Sequence, residues 1–291
     1  CRQGRALGGN HGMMAPLPLT GVHALVPLFD ALLVDQFGVL HDGTAPYPGA
    51  GEALRKLKES GRTILLISNS GKRAAPNEKR LLDLGFTAGS WDHFLSSGEV
   101  AWHMLGASLA DGGRKRCLLI ARGTDTSAVD GLSLDLVADG ANADVVLIAG
   151  SEGETYDIEH YRHLLEPAAR RKIPCLCTNP DKIMLTAKGP RFGAGRIADE
   201  YAAMGGDVTW IGKPFPEIYD AARTMLNAVP AARIACVGDS IEHDIAGGRN
   251  AGFSTVLVTT GILASASDAE RAALYATHEA TPDYLLPAFA W

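Results

Sequence analysis

Three short apolar runs in this chain end in residues that can do chemistry. Ala31-Leu32-Leu33-Val34 runs into Asp35, and Val208-Thr209-Trp210-Ile211-Gly212 runs into Lys213. Ile234-Ala235-Cys236-Val237-Gly238 runs into Asp239, with Asp244 five residues further on. A fourth run, Thr63-Ile64-Leu65-Leu66-Ile67, ends in Ser68-Asn69. Short apolar runs bounded by turn residues read as buried parallel strands. Ligands of open α/β sheets bind outside the carboxyl ends of such strands. If the four runs share one sheet, three carboxylates, one ammonium and a hydroxyl–amide pair converge on one crevice. Carboxylates that close repel one another, so the cluster implies a bound cation. The lysine beside them implies an anionic substrate, most simply a phosphoryl group.

Each motif carries its part of that chemistry and also has a plainer reading. Asp35 could face a metal and phosphorus at once and attack the phosphorus, which would split hydrolysis into two easier steps; alone it could cap a turn. Ser68-Asn69-Ser70-Gly71 offers a hydroxyl, an amide and backbone N–H groups to a phosphate, or simply caps a helix. Lys213, between Gly212 and Pro214, can neutralise Asp35 and phosphoryl oxygens; its place after an apolar strand argues against an ordinary surface lysine. Gly238-Asp239-Ser240-Ile241-Glu242-His243-Asp244 is the strongest single signal. Asp239 can ligate a hard cation, and Asp244 can hold a metal-bound water or orient Lys213. Magnesium suits such a site, because it takes few carboxylates and keeps several waters. His41 and His243 neighbour acids but read as solvated or structural. Thr178-Asn179-Pro180-Asp181 either faces the crevice or forms an Asx-Pro turn.

Composition narrows the rest. The 291 residues suffice for one large domain or two ordinary ones. With 46% hydrophobic and 21% charged residues the chain is of ordinary globular make-up. A formal net charge of -6 without a basic run argues against a nucleic-acid partner. No apolar stretch approaches a membrane span, and there is no signal-peptide core. Residues 1–13 read as disordered, or as lying upstream of a start at Met13 or Met14. The five cysteines have no framework spacing. Cys117 and Cys236 fall inside apolar strands, Cys175 and Cys177 share one strand face, and no further ligands supply a zinc site. A reducing, cytoplasmic setting fits. The composition is compatible with a homodimer and does not specify one.

Strand and helix patterns alternate, the signature of a parallel α/β sheet. Helices are expected at 49–60, 76–84 and 97–105, the last opening on Ser97 as its cap. Near residue 110 the texture changes. Asp111-Gly112-Gly113 reads as a linker, followed by strands at 116–121 and 144–149, an amphipathic helix at 156–171 and a strand at 173–177. This unit carries none of the converging acids, and the core motifs lie on either side of it. Residues 111–189 are therefore expected to form an inserted domain, with the first domain built from 20–110 and 190–291. A helix at 195–204, the strand before Lys213, a helix at 217–226 and strands at 254–259 and 283–286 are assigned to the second part of that first domain.

The ordered set Asp35, Ser68, Lys213 and Gly238-Asp239-xxxx-Asp244 resembles the four signatures of the haloacid dehalogenase-like (HAD) hydrolases. The position of the insertion, with Thr178-Asn179-Pro180-Asp181 and Gly212-Lys213-Pro214, resembles class IIA, the NagD-like and nitrophenylphosphatase-like branch. The resemblance spans roughly residues 30–287. It implies a Rossmann-like core with an α/β cap and Mg²⁺-dependent hydrolysis of a small phosphorylated metabolite through an aspartyl-phosphate. In that reading Asp35 is the nucleophile, and Ser68, Asn69 and Lys213 bind the phosphoryl group. Asp35, the Phe37 carbonyl, Asp239 and Asp244 form the metal set, and Asn179 and Asp181 contribute substrate selectivity from the cap. One position departs: the family's phosphatases carry a general acid/base aspartate where this chain has Phe37. General acid–base help is typically worth about 10²–10⁴-fold. Asp42 and Asp181 are then the first substitutes to consider. Two rivals remain open: a carbon–halogen hydrolase, whose branch has an aromatic residue at this position, and a phosphometabolite-binding protein with little turnover.

Overall fold

The computed structural model describes residues 15–110, 112–186 and 189–291, so the expectation for residues 1–13 lies outside the described residues. Its strands are β1 (Leu17–Pro18), β2 (Ala31–Asp35), β3 (Thr63–Ser68), β4 (His93–Ser96), β5 (Lys115–Ile120), β6 (Leu134–Leu136), β7 (Val145–Ile148), β8 (Cys175–Cys177), β9 (Ile183–Thr186), β10 (Gly189–Phe192), β11 (Val208–Trp210), β12 (Ile234–Gly238), β13 (Ser254–Val258) and β14 (Tyr284–Leu286). Its α-helices are α1 (Ala50–Glu59), α2 (Ala74–Asp83), α3 (Ser97–Ala107), α4 (Ile158–Arg170), α5 (Ala194–Ala203), α6 (Pro216–Met225), α7 (Gly247–Asn250) and α8 (Asp268–Thr277).

Two parallel sheets and one hairpin result. The first sheet runs β1-β14-β13-β12-β2-β3-β4, the second runs β11-β8-β7-β5-β6, and β9 and β10 pair antiparallel. Strands at the centre are apolar on both faces because both faces are covered. In β2, Leu32 and Val34 pack with Ala53, Leu54 and Leu57 of α1, while Ala31 and Leu33 pack with Val100 of α3 and Ile218 of α6. β3 and β12 alternate in the same way. Each fully buried leucine here contributes about 1.5–3 kcal/mol. The second sheet is asymmetric. Its Val146, Ile148, Cys175 and Cys177 face α4 and α5, whereas Cys117, Val145 and Leu147 lie in the same apolar cluster as Leu105 of α3. Burial pushes the Cys117 and Cys177 thiols up to about 12, in keeping with inert packing. No helix among the described residues is long and apolar enough to cross a membrane.

The strand leading to Lys213 does not join the sheet that holds Asp35. β11 pairs with β8, in the register Val208 to Cys175 and Trp210 to Cys177. Nor does the chain return to the first sheet at residue 190: Ala194, Ile197, Ala198 and Tyr201 of α5 pack in one cluster with Tyr161 and Leu165 of α4. The second sheet with its covering helices thus extends from Lys115 to Trp210 rather than ending at 189. The mostly apolar run before Lys213 specifies a strand but not which sheet receives it, and β11, at a sheet edge, is only half-buried rather than buried as expected. Smaller differences have local causes. Helix α3 is capped by Ser96, whose hydroxyl accepts from Glu99 N at 3.0 Å, rather than by Ser97. Helix α2 starts at Ala74, placing Pro76 in its first turn, where a missing N–H costs nothing.

Candidate active site

Strand β2 lies between β12 and β3, with Val34 opposite Val237 and Asp35 opposite Ile67. Asp35 therefore emerges between Asp239 and Ser68. Lys213 enters from the end of β11 and closes the group. Its Nζ lies 2.9 Å from Asp35 Oδ1 and donates to Asp244 Oδ1 at 2.6 Å. The other Asp244 oxygen accepts from Ser240 N at 3.1 Å, so Asp244 orients the lysine and the turn before it. Carboxylate oxygens of Asp35, Asp239 and Asp244 all lie within 4.8 Å of one another, and all three residues are buried.

The electrostatics follow. Burial raises the Asp35 carboxyl above its ordinary range; Lys213 opposes this and Asp244 adds to it. Burial also raises Asp239, and here Asp35 and Asp244 reinforce it. Burial works against the Lys213 ammonium, but Asp244 and Asp35 outweigh it and push its pKa upward. One ammonium does not balance three buried carboxylates. An all-oxygen donor set with excess negative charge fits a hard divalent cation such as Mg²⁺.

Close backbone approach builds this pocket. A Cβ on Gly38 (φ +87°) or on Gly261 (φ +64°) would fall 2.0 Å from Asp239 Oδ2, and one on Gly238 would fall 2.0 Å from Asp244 Cγ. Ile262 N donates to Asp239 Oδ2 at 2.9 Å, and Thr260 Oγ1 donates to the Gly38 carbonyl at 2.6 Å. The Thr259-Thr260-Gly261-Ile262 turn thus belongs to the site, although sequence reasoning missed it. The signal was available: the turn follows the apolar strand β13, and strand ends face the crevice.

The remaining candidates sort themselves by contact. Ser68 Oγ accepts from Ser70 N at 3.2 Å, a contact that leaves the hydroxyl hydrogen for an anion. Asn69 was expected to bind phosphate, but its side chain is committed elsewhere. Its Oδ1 accepts from Lys213 N at 2.6 Å, and its Nδ2 donates to Lys213 O and to Asp181 Oδ1, both at 3.1 Å. Asp181 thus reaches the core from the end of β8. Asn179 turns its side-chain oxygen back to the Asp181 N–H at 3.0 Å, which shapes the loop. Phe37 is 48% exposed, with its ring edge-on to His41. Asp42 caps a turn. Its Oδ1 accepts from Ala45 N, Thr44 Oγ1 and Thr44 N, and these bonds hold the carboxyl down to about 2. His41 is structural: its Nδ1 accepts from Gly43 N at 3.0 Å, and burial holds its pKa down to about 4.

The carboxyl edges of the two sheets face each other across this crevice. Asp181 meets Asn69, Lys72 Nζ pairs with Asp125 at 2.8 Å, and a Cβ on Gly71 would fall 1.9 Å from Ala149 O.

Known proteins resemble this chain in sequence and fold. A family model described as haloacid dehalogenase-like hydrolase matches residues 32–135, and a related HAD-hydrolase-like model matches 210–290. Chronophin of Homo sapiens is 32% identical over 286 aligned residues, covering 89% of this chain and 90% of that protein. A crystal structure of a haloacid dehalogenase-like hydrolase from Brucella suis superposes with a TM-score of 0.79 at 26% identity, covering 94% of this chain and 100% of that one. The glycerol phosphate phosphatase of Mycobacterium tuberculosis, crystallised with magnesium, gives 0.67 at 25% identity, covering 90% and 75%. With its motif order, its two parallel sheets and these relatives, the chain belongs to the haloacid dehalogenase-like hydrolases, in the class IIA branch of NagD-like and nitrophenylphosphatase-like proteins.

Proposed function

We propose that this protein is a Mg²⁺-dependent phosphatase of small phosphorylated metabolites, working in a reducing compartment such as the cytoplasm. The observation that carries the reading is the buried cluster of Asp35, Asp239 and Asp244 within 4.8 Å, with Lys213 Nζ bridging two of its members. The magnesium-bound relative and the other named phosphatases support it.

Asp35 is the nucleophile. Its carboxylate oxygen bonds to phosphorus as the ester P–O bond breaks, and the leaving alkoxide takes a proton from water. Water then attacks phosphorus of the aspartyl-phosphate, the Asp35–phosphorus link breaks, and hydrogen phosphate leaves with the carboxylate restored, the proton the water loses neutralising the hydroxide left by the first step. Lys213 and the Ser68 hydroxyl hold the phosphoryl oxygens while charge shifts onto them. Asp244 keeps the ammonium aimed. Asp35, the Phe37 carbonyl, Asp239 and Asp244 would hold the cation, which supplies charge neutralisation at the phosphoryl group when bound.

The excess of buried carboxylates favours this chemistry over carbon–halogen cleavage, which needs no cation. The test is phosphate release from p-nitrophenyl phosphate and a metabolite panel, with Mg²⁺ and with EDTA. Turnover that EDTA abolishes and Mg²⁺ restores is expected. Halide release in EDTA would overturn the reading in favour of a dehalogenase. Thermal stabilisation by phosphate esters without any product would overturn it in favour of a binding protein.

A further inference from the structure

The hydrogen bonds around Asn69 form a relay from the second sheet into the catalytic group. Asp181 is held from both sides within its own sheet's loops: its N–H donates to Asn179 Oδ1 at 3.0 Å, and its carbonyl accepts from Gly195 N at 3.1 Å. Pro180 wedges the loop, since a Cβ on Gly195 would fall 2.0 Å from Pro180 O, and one on Gly212 would fall 2.4 Å from Pro180 Cδ. From this fixed loop the Asp181 carboxylate crosses to Asn69 Nδ2. The Asn69 amide has two N–H donors, and the second goes to Lys213 O while its oxygen takes Lys213 N. Both polar backbone groups of Lys213 are thereby clasped by one planar side chain, and its stem is aimed at Asp35 and Asp244. His243, beside Asp244, lies with Nδ1 3.8 Å from the same Asp181 oxygen.

We propose that Asp181 is a positioning residue, a latch on the second sheet that sets Lys213 through Asn69. Docking of the loop after β8 is thereby coupled to assembly of the catalytic group. The proposal rests on the phosphatase reading for its kinetic readout and differs from a substrate-contact role for Asp181. A contact to the leaving group would act on binding and vary with the substrate. A latch acts on kcat for every substrate, even one with almost no leaving group to recognise.

The experiment is a double-mutant cycle of Asp181→Ala and Asn69→Ala, with Asp181→Asn as the conservative variant, assayed on p-nitrophenyl phosphate and on acetyl phosphate with Mg²⁺. Asp181→Ala should lower kcat about tenfold on both substrates with KM changed less than about twofold. The double variant should be no slower than Asn69→Ala alone, because the two residues act in series. Asp181→Asn retains an oxygen acceptor for Asn69 and should keep kcat within about threefold of the unmodified protein. Independently of turnover, hydrogen exchange at the Lys213 amide should speed up about tenfold in Asp181→Ala and not in Asp181→Asn. The Asp181 side chain is 39% exposed, so the alanine variant is expected to fold. Multiplicative losses in the double variant, a rise in KM alone, or unchanged Lys213 exchange would each overturn the latch. If the unmodified protein releases no phosphate from any ester, the phosphatase reading fails, and the exchange measurement still decides the latch.

Discussion

Replacing Lys213 with methionine isolates the charge at the centre of the site. The ammonium bridges Asp35 at 2.9 Å and Asp244 at 2.6 Å, and the three side chains are 4%, 13% and 1% exposed. Methionine keeps most of the stem and removes the charge, which leaves two buried carboxylates facing each other. Breaking a buried pair from one side costs about 3–5 kcal/mol. At about 2–4 °C per kcal/mol for a chain of this size class, melting of the metal-free protein should drop by roughly 6–20 °C. The loss has a pH signature. A carboxyl whose folded pKa is raised above its unfolded value is ionised in the unfolded state before it is ionised in the folded one. Stability therefore falls as pH rises between those two values. The deficit of Lys213→Met should be largest near pH 8 and should shrink as pH falls through the unfolded value of 3.8, below which both states hold the proton. Adding Asp244→Asn should recover part of the loss, because one repelling charge is gone, and Mg²⁺ should recover part as well. The assay is thermal melting in EDTA across pH, followed by urea unfolding at the extremes. A deficit under about 0.5 kcal/mol, or one independent of pH, would refute the charge balance argued here.

Gly261→Ala should weaken Mg²⁺ binding at least about tenfold, since a Cβ 2.0 Å from Asp239 Oδ2 must displace that carboxylate and φ is +64°; unchanged affinity by calorimetry would contradict the placement of the turn. Asp35→Asn should abolish turnover while the melting temperature holds or rises, because a buried carboxylate is neutralised, and substantial residual hydrolysis would sink the nucleophile assignment. Asp125 is held down to about 2: burial opposes ionisation, but Lys72 and Ser127 outweigh it. Its contribution to stability should thus be present above pH 4 and fade as pH falls toward 2, so the difference in melting temperature from Asp125→Asn should close over that interval. Phe37 supplies no proton, so log kcat should rise as leaving-group pKa falls, with aryl phosphates ahead of alkyl phosphates; a flat dependence would mean that another residue donates.

Much of this site was legible in the sequence because its parts sit at the ends of strands. Asp35, Ser68 and Asp239 needed only an apolar run followed by a polar stop, and sheet geometry did the rest. Lys213 was identified by the same rule for a partly wrong reason, since its strand lies in the other sheet and reaches the crevice because both carboxyl edges face it. The residue types of a run mark a strand, whereas the choice of sheet is set by pairing with a strand distant in sequence, here β11 with β8. The short strands β4 and β6 and strand β10 mix polar, charged or turn-forming residues with apolar ones, and lack the continuous apolar run that marks β7 at similar length. The roles of Asn69 and Gly38 depend on contacts between residues distant in sequence and had no local mark, whereas Gly261 follows an apolar strand and could have been found by the strand-end rule.

The same geometry explains how a site can be crowded with acid and still receive an anion. Three carboxylates alone would repel a phosphate ester, and one lysine cannot reverse that. Two of its three N–H donors already go to Asp35 and Asp244, and its backbone is held by Asn69, so one N–H is left for a phosphoryl oxygen. Its first effect is to keep Asp35 ionised, against burial that raises the carboxyl. A hard cation bound to the excess carboxylates would turn the local balance toward positive, and only then does the crevice become a receptor for phosphate. Metal first and substrate second is thus the order the charges favour. Phosphate-ester affinity should rise steeply with Mg²⁺ at fixed ionic strength, and by calorimetry it should be undetectable in EDTA.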